Sequence, residues 1–145
     1  MSSHLVASRR RFVGLLALAP LVLSGGSVLA AGEAAFPAGK WLAEDIRGGG
    51  VIDNAQTMIE ITPDGRVSGS GGCNRIGGGA MVKGNNLRFS RMVSTQMACA
   101  PALMNQEHRF LQALEDVRRF RVDSKRHKLL LRDARGKTIL RFSQM

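Results

Sequence analysis

Gly69-Ser70-Gly71-Gly72-Cys73-Asn74-Arg75 and Ser94-Thr95-Gln96-Met97-Ala98-Cys99-Ala100-Pro101 open and close the part of the chain, Gly69 to Glu107, on which its reading turns. The four residues Gly69 to Gly72 before Cys73 are all glycine or serine. They leave so little side-chain bulk that another backbone or a large side chain can approach closely. Asn74 tolerates tight turns and can bond its own neighbouring backbone. Both cysteines of the chain lie in this stretch. Pro101 suits a first helical turn, where its missing N–H is no loss. From there Leu103, Glu107, Phe110, Leu111, Leu114 and Val117 fall on one side at the 3.6 period, with Met104 flanking. Five of these six are apolar, so this face is predicted to be buried, and a sheet is the only candidate to cover it. Arg118-Arg119 favour the C-terminus of that helix.

Working outward, Trp41 to Ile46 reads as a first strand, with Trp41, the only Trp, as a core anchor. Gly48-Gly49-Gly50 ends it. Thr57 to Thr62 alternates, placing Met58 on one face and Ile59 and Ile61 on the other. Pro63-Asp64-Gly65 is a turn signal, and Arg66 to Ser70 returns as the hairpin partner. Gly77-Gly78-Gly79 is expected to break the chain before a strand over Ala80 to Lys83, and Gly84-Asn85-Asn86 to turn it into Leu87 to Met92. Three more strands follow the helix: Phe120 to Asp123, Lys128 to Arg132 and Thr138 to Ser143. Short strands separated by glycine and asparagine turns describe an antiparallel sheet in which sequence neighbours pair. The fold class is α+β, mostly β, with one amphipathic helix.

The pairing of G-[ST]-x-G-C-N-R with T-x-M-A-C, in that order and with a helix behind the second half, resembles the META domain family, whose bacterial members include HslJ-like heat-shock proteins. The resemblance runs from about Gly39 to Phe142. Its motif falls on Gly69, Gly72, Cys73, Asn74, Arg75, Thr95, Met97, Ala98 and Cys99, and the family pattern has an acidic residue near Glu107. It implies a strongly curved, barrel-like antiparallel sheet packed around the helix. It also implies a role in envelope stress tolerance, with links to novobiocin resistance.

The N-terminus carries Ser8-Arg9-Arg10-Arg11-Phe12-Val13 and then an uncharged run to Leu23, about the length of a signal-peptide core and short for a spanning helix. Ser-Arg-Arg-x-Phe is also the pattern of twin-arginine export signals, with Val13 and Gly14 here where Leu and Lys are usual. Residues 1–30 are expected to be an export signal cut before Ala31, 31–38 a linker and 39–145 the domain; an uncut signal acting as an anchor is the alternative. Many relatives carry a lipoprotein cysteine just after the apolar core. None stands there in this sequence, so lipid attachment is not expected. The expected location is periplasmic or secreted.

Of 145 residues with a net charge of +10, the part after Ala30 is enough for one core. From Ala31 to His108 seven basic residues balance seven acidic ones, whereas Arg109 to Met145 holds eleven basic against four acidic. The excess of the domain therefore sits in its last quarter. A solvated surface accounts for it, as does contact with an acidic envelope component such as a lipid headgroup or wall polymer. Nucleic acid is not expected as a partner, because the chain has no Tyr and no aromatic-basic stacking motif. Membrane contact is expected only through an uncleaved signal or weak surface attraction, and the domain is expected to be a monomer.

In an exported protein two cysteines more often pair than stay free. Closing the loop of about 26 residues between Cys73 and Cys99 is worth roughly 3–4 kcal/mol. Two buried thiols and a redox pair are the alternatives, the last the poorest, since neither cysteine sits in a C-x-x-C turn. His4, His108 and His127 have no second ligand at metal spacing. The sequence carries no G-x-S-x-G elbow, and the glycine-rich run Gly69 to Gly79 lacks the Lys-Ser/Thr end of a P-loop. Glu107, a carboxylate on an apolar helix face, is expected to pair with Arg75 or to accept backbone N–H groups near Cys73; acid-base catalysis would need a partner the sequence does not show. Met92, Met97 and Met104 read as core filler, or as a flexible apolar patch. No catalytic residue, metal or cofactor is assigned. The leading expectation is a non-enzymatic, exported stress-tolerance domain; the second is a binding or inhibitor module for an envelope enzyme or acidic polymer.

Overall fold

Strands β1 (Gly39–Ile46), β2 (Met58–Ile61), β3 (Arg66–Ser70), β4 (Arg75–Lys83), β5 (Asn86–Phe89) and β6 (Val93–Ser94) precede helix α1 (Pro101–Asp116), and β7 (Arg119–Asp123), β8 (Lys128–Arg132) and β9 (Thr138–Gln144) follow it. This computed structural model describes residues 35–145; the expected export signal and its cleavage point lie outside the described residues. All pairings are antiparallel, in the order β3-β2-β1-β9-β8-β7-β5-β4, with β6 beside β4. A further β3–β4 ladder joins the two ends, so the sheet curls into a ring. A ring leaves few free edges to template aggregation.

The interior follows from strand alternation. Trp41, Ile59, Ile61, Val67, Leu87, Leu129, Leu131 and Phe142 point inward, each almost completely buried. Trp41 satisfies its indole by donating to the Pro37 carbonyl at 2.9 Å. A bulge between Ala43 and Asp45 bends β1 where it meets β9. Helix α1 packs against β1, β5 and β9, and the Phe110 ring meets Phe142 edge-on with centroids 6.1 Å apart. The ring is narrowest in its bonding between β5 and β7: one residue pair, Asn86 with Arg119, flanked by Leu87 N–H to the Arg118 carbonyl and Phe120 N–H to the Asn85 carbonyl.

Three local expectations need correction. Gly77-Gly78-Gly79 does not break the chain but lies inside β4, because β3 pairs with it along one edge and β6 along part of the other. Nonlocal pairing overrides the low strand preference of glycine. The strand expected to run to Met92 ends at Phe89, where Ser90 turns to exchange bonds with Gly79, and β6 resumes the pairing. The buried helix face holds Gln106 and Ala113, while Leu103 and Leu111 are only half-buried. The face is therefore rotated towards the Gln106 side. Arg118 does donate to the Glu115 and Val117 carbonyls at the helix end, but Arg119 already belongs to β7.

Candidate functional site

Helix α1 reaches the corner between β3 and β4 through Glu107. Its Oε2 accepts the backbone N–H of Cys73 at 3.1 Å and of Asn74 at 2.6 Å, and its Oε1 accepts Asn74 Nδ2 at 2.7 Å. Of the two roles expected for this carboxylate, backbone capture is the one the structure contains. Arg75 begins β4 with its side chain outward and forms no ion pair with Glu107. Three N–H donors satisfy the buried carboxylate without a counter-charge.

Asn74 carries the linkage onward. Its Oδ1 accepts the Thr95 hydroxyl at 3.0 Å and the Met97 N–H at 2.6 Å. Thr95 Oγ1 accepts the Arg75 N–H at 3.1 Å, and the Thr95 N–H donates to the Arg75 carbonyl at 3.0 Å. Beside these bonds Cys73 and Cys99 are joined in a disulfide, Cα atoms 6.0 Å apart. The two halves of the motif are thus laced together, one covalent tie running parallel to four hydrogen bonds. Ala98, exposed, is the single residue between the Met97 N–H bond and the disulfide.

The glycines make room. Gly71 lies under Glu107, where an added Cβ would stand 2.5 Å from Cγ. Gly69, in β3, would place a Cβ 2.1 Å from the Met58 carbonyl oxygen. Gly72 turns the chain with φ +112° ahead of Cys73.

Two members of this network carry no mark in the motif. Gln106 Nε2 donates to Thr57 Oγ1 at 3.0 Å, its Oε1 accepts the Ile52 N–H at 2.6 Å, and Thr57 Oγ1 donates to the Gly71 carbonyl at 3.2 Å. Period two places Thr57 on the same inward face as Ile59 and Ile61, which was the available signal for it. Gln106 had none beyond its position next to Glu107.

The methionines divide. Met92 packs against the core, but Met97 and Met104 are 59% and 45% exposed, so they are not core filler. His108 is exposed, and among the described residues no group of three or more His, Cys, Asp or Glu is placed to hold a metal. Also among the described residues, no helix is long and apolar enough to cross a membrane.

A second region lies on the outer face of the ring. Alternation and register bring Met81 and Lys83 of β4, Asn86 and Arg88 of β5, Arg119 and Arg121 of β7, and Leu130 and Arg132 of β8 to one side. Two cavities open there, of about 630 and 480 Å³, with Arg119 in the wall of both. Neither is lined by an acidic residue. Lys83 and Arg88 join basic residues from the last quarter of the chain, a convergence that the charge count does not show.

The META domain family model matches residues 34–145, which takes in the ring, the helix and every motif residue. The chain belongs to the META domain family. Similar solved structures include a protein determined by NMR, 25% identical, covering 73% of this chain and 88% of that one with a TM-score of 0.55. A second NMR structure, of a protein from Burkholderia xenovorans, is 24% identical, covers 74% and 81% and has a TM-score of 0.61. A crystal structure of a DUF4847 family protein from Bacteroides vulgatus is 18% identical, covers 75% and 94% and scores 0.54. The last two show that this META domain shares their fold. None of the curated proteins matches the chain.

Proposed function

We propose that this META domain is exported, has no enzymatic activity and acts in envelope stress tolerance. One observation carries the non-enzymatic part. The carboxylate that the motif brings to its centre, Glu107, is 6% exposed and holds three N–H donors of its own chain. An acid-base catalyst must reach a proton on its substrate, and this carboxylate is engaged instead in holding a helix to a sheet corner. Export is supported by Ser8-Arg9-Arg10-Arg11-Phe12 and by the Cys73–Cys99 disulfide, which suits an oxidising compartment. The test is a strain lacking the protein, challenged with heat or novobiocin. Full-length protein should restore survival, and the Arg9→Lys/Arg10→Lys variant should remain in the cytoplasm and fail to restore it. Unimpaired survival of the deletion strain refutes the stress role, and an exported double-Lys variant refutes the twin-arginine route.

The outer basic face favours a second reading, a binding module for an acidic envelope component. Such binding weakens steeply between low and physiological salt.

A further inference from the structure

We propose that the two cavities flanking Arg119 are one site for an anion carrying more than one phosphate group; the proposal rests on the binding-module reading and names its ligand chemistry. The first argument is where this fold supplies counter-charges. Elsewhere on the ring four of five strand-borne cations have carboxylate neighbours, Arg75 being the exception: Lys128 and Arg141 flank Glu44, Lys40 faces Glu60 and Arg66 meets Asp64. At the β5–β7 seam the pattern stops. Among the described residues Lys83, Arg88, Arg119, Arg121 and Arg132 form no ion pair.

The second argument is that two of these charges are set against each other. Arg119 stands directly opposite Arg132 in the β7–β8 ladder. Like charges in that position destabilise a sheet, and a fold needing only solubility would place one of them elsewhere. A third sign is Arg132, which lines the smaller cavity and whose Nε is buried without a hydrogen-bond partner. A buried unpartnered donor in a native structure calls for an acceptor.

The chemistry follows from the donors. A guanidinium presents parallel N–H groups that match phosphate oxygens two at a time. One such group would sit between Arg88 and Arg119 in the larger cavity, and a second between Arg119, Arg121 and Arg132 in the smaller. Sharing Arg119 fixes the two anionic groups as near neighbours, as in a pyrophosphate or a bisphosphorylated headgroup. Met81, 66% exposed at the rim of the larger cavity, offers an apolar contact to the remainder of an amphiphile.

The test titrates the full-length protein with inorganic pyrophosphate at low ionic strength, followed by calorimetry. Wild type should bind at one site, and Arg119→Gln and Arg132→Gln should each weaken binding about tenfold or more, the loss of a charge-assisted contact. Lys125→Gln removes the same charge from the β7–β8 turn and should leave binding nearly unchanged. In ligand-free protein Arg119→Gln should raise the thermal midpoint, because the opposed charges are relieved; a merely structural Arg119 would give a fall. Vesicles of cardiolipin, whose headgroup carries two phosphates, in phosphatidylcholine separate the sources. Capture of the protein that pyrophosphate competes away assigns the site to a lipid headgroup, and pyrophosphate binding without capture assigns it to a soluble anion. No binding of pyrophosphate, or a loss in Lys125→Gln equal to that in Arg119→Gln, overturns the proposal. Salt-sensitive capture on anionic vesicles without pyrophosphate binding would overturn this site and leave the binding-module reading standing, so the two fail separately.

Discussion

Exchanging the chemistry of Glu107 and Asn74 tests the lacing of the motif directly. In Glu107→Gln one carboxylate oxygen becomes an NH2 group. If the remaining oxygen stays with the Cys73 and Asn74 N–H groups, the new NH2 faces Asn74 Nδ2 at the present 2.7 Å, donor against donor. Asn74 cannot flip to accept it without abandoning the Thr95 hydroxyl and the Met97 N–H. One buried bond is lost and two donors are stranded, which costs about 2–4 kcal/mol. Asn74→Asp should cost a similar amount, since it sets two carboxylate oxygens against each other. The double variant restores complementarity: the amide introduced on the helix donates to the carboxylate introduced at the sheet corner, and the remaining oxygens keep their other partners. Its stability should exceed the sum of the two losses by on the order of 2 kcal/mol or more. Urea unfolding with the disulfide intact measures all four corners of the cycle, and each single variant should lower the thermal midpoint by roughly 10 °C. Additive losses would refute the donor-acceptor assignment.

Two further predictions concern the same corner. Cys73→Ser and Cys99→Ser should each destabilise by roughly 3–4 kcal/mol, and the double variant by little more, because each single change already opens the loop; a thiol assay on unfolded, unreduced protein should find none free. Gly71→Ala should cost about 1–3 kcal/mol by pressing its Cβ on Glu107, and a neutral result in urea unfolding would show that the helix yields there freely.

What was legible in the sequence was local. Pro63-Asp64-Gly65 announces its hairpin because the turn chemistry is contained in three residues, and α1 announces itself by period. The run Gly77 to Gly79 misled because its structure is imposed by β3 and β6, whose pairing no short window contains. Ring closure likewise depends on β1 meeting β9; the family resemblance implied a barrel-like sheet but not this pairing. The motif pointed to Cys73, Asn74, Cys99 and Glu107, yet Gln106 and Thr57 were hidden, since a buried amide reads as surface until its partners are seen. The basic excess was visible as a count; its gathering with Lys83 and Arg88 came from β4 and β5 turning beside β7.

The β1–β9 ladder has a consequence for the order in which this chain can mature. Trp41 pairs with Gln144, so most of the domain must be synthesised between one side of that seam and the other. The β1–β9 seam cannot close until the last strand has been synthesised. Nonlocal pairing of this kind folds in milliseconds to seconds rather than microseconds. During that interval β1 exposes an unpaired edge, and a chaperone that acts on the newborn protein meets it in this open form.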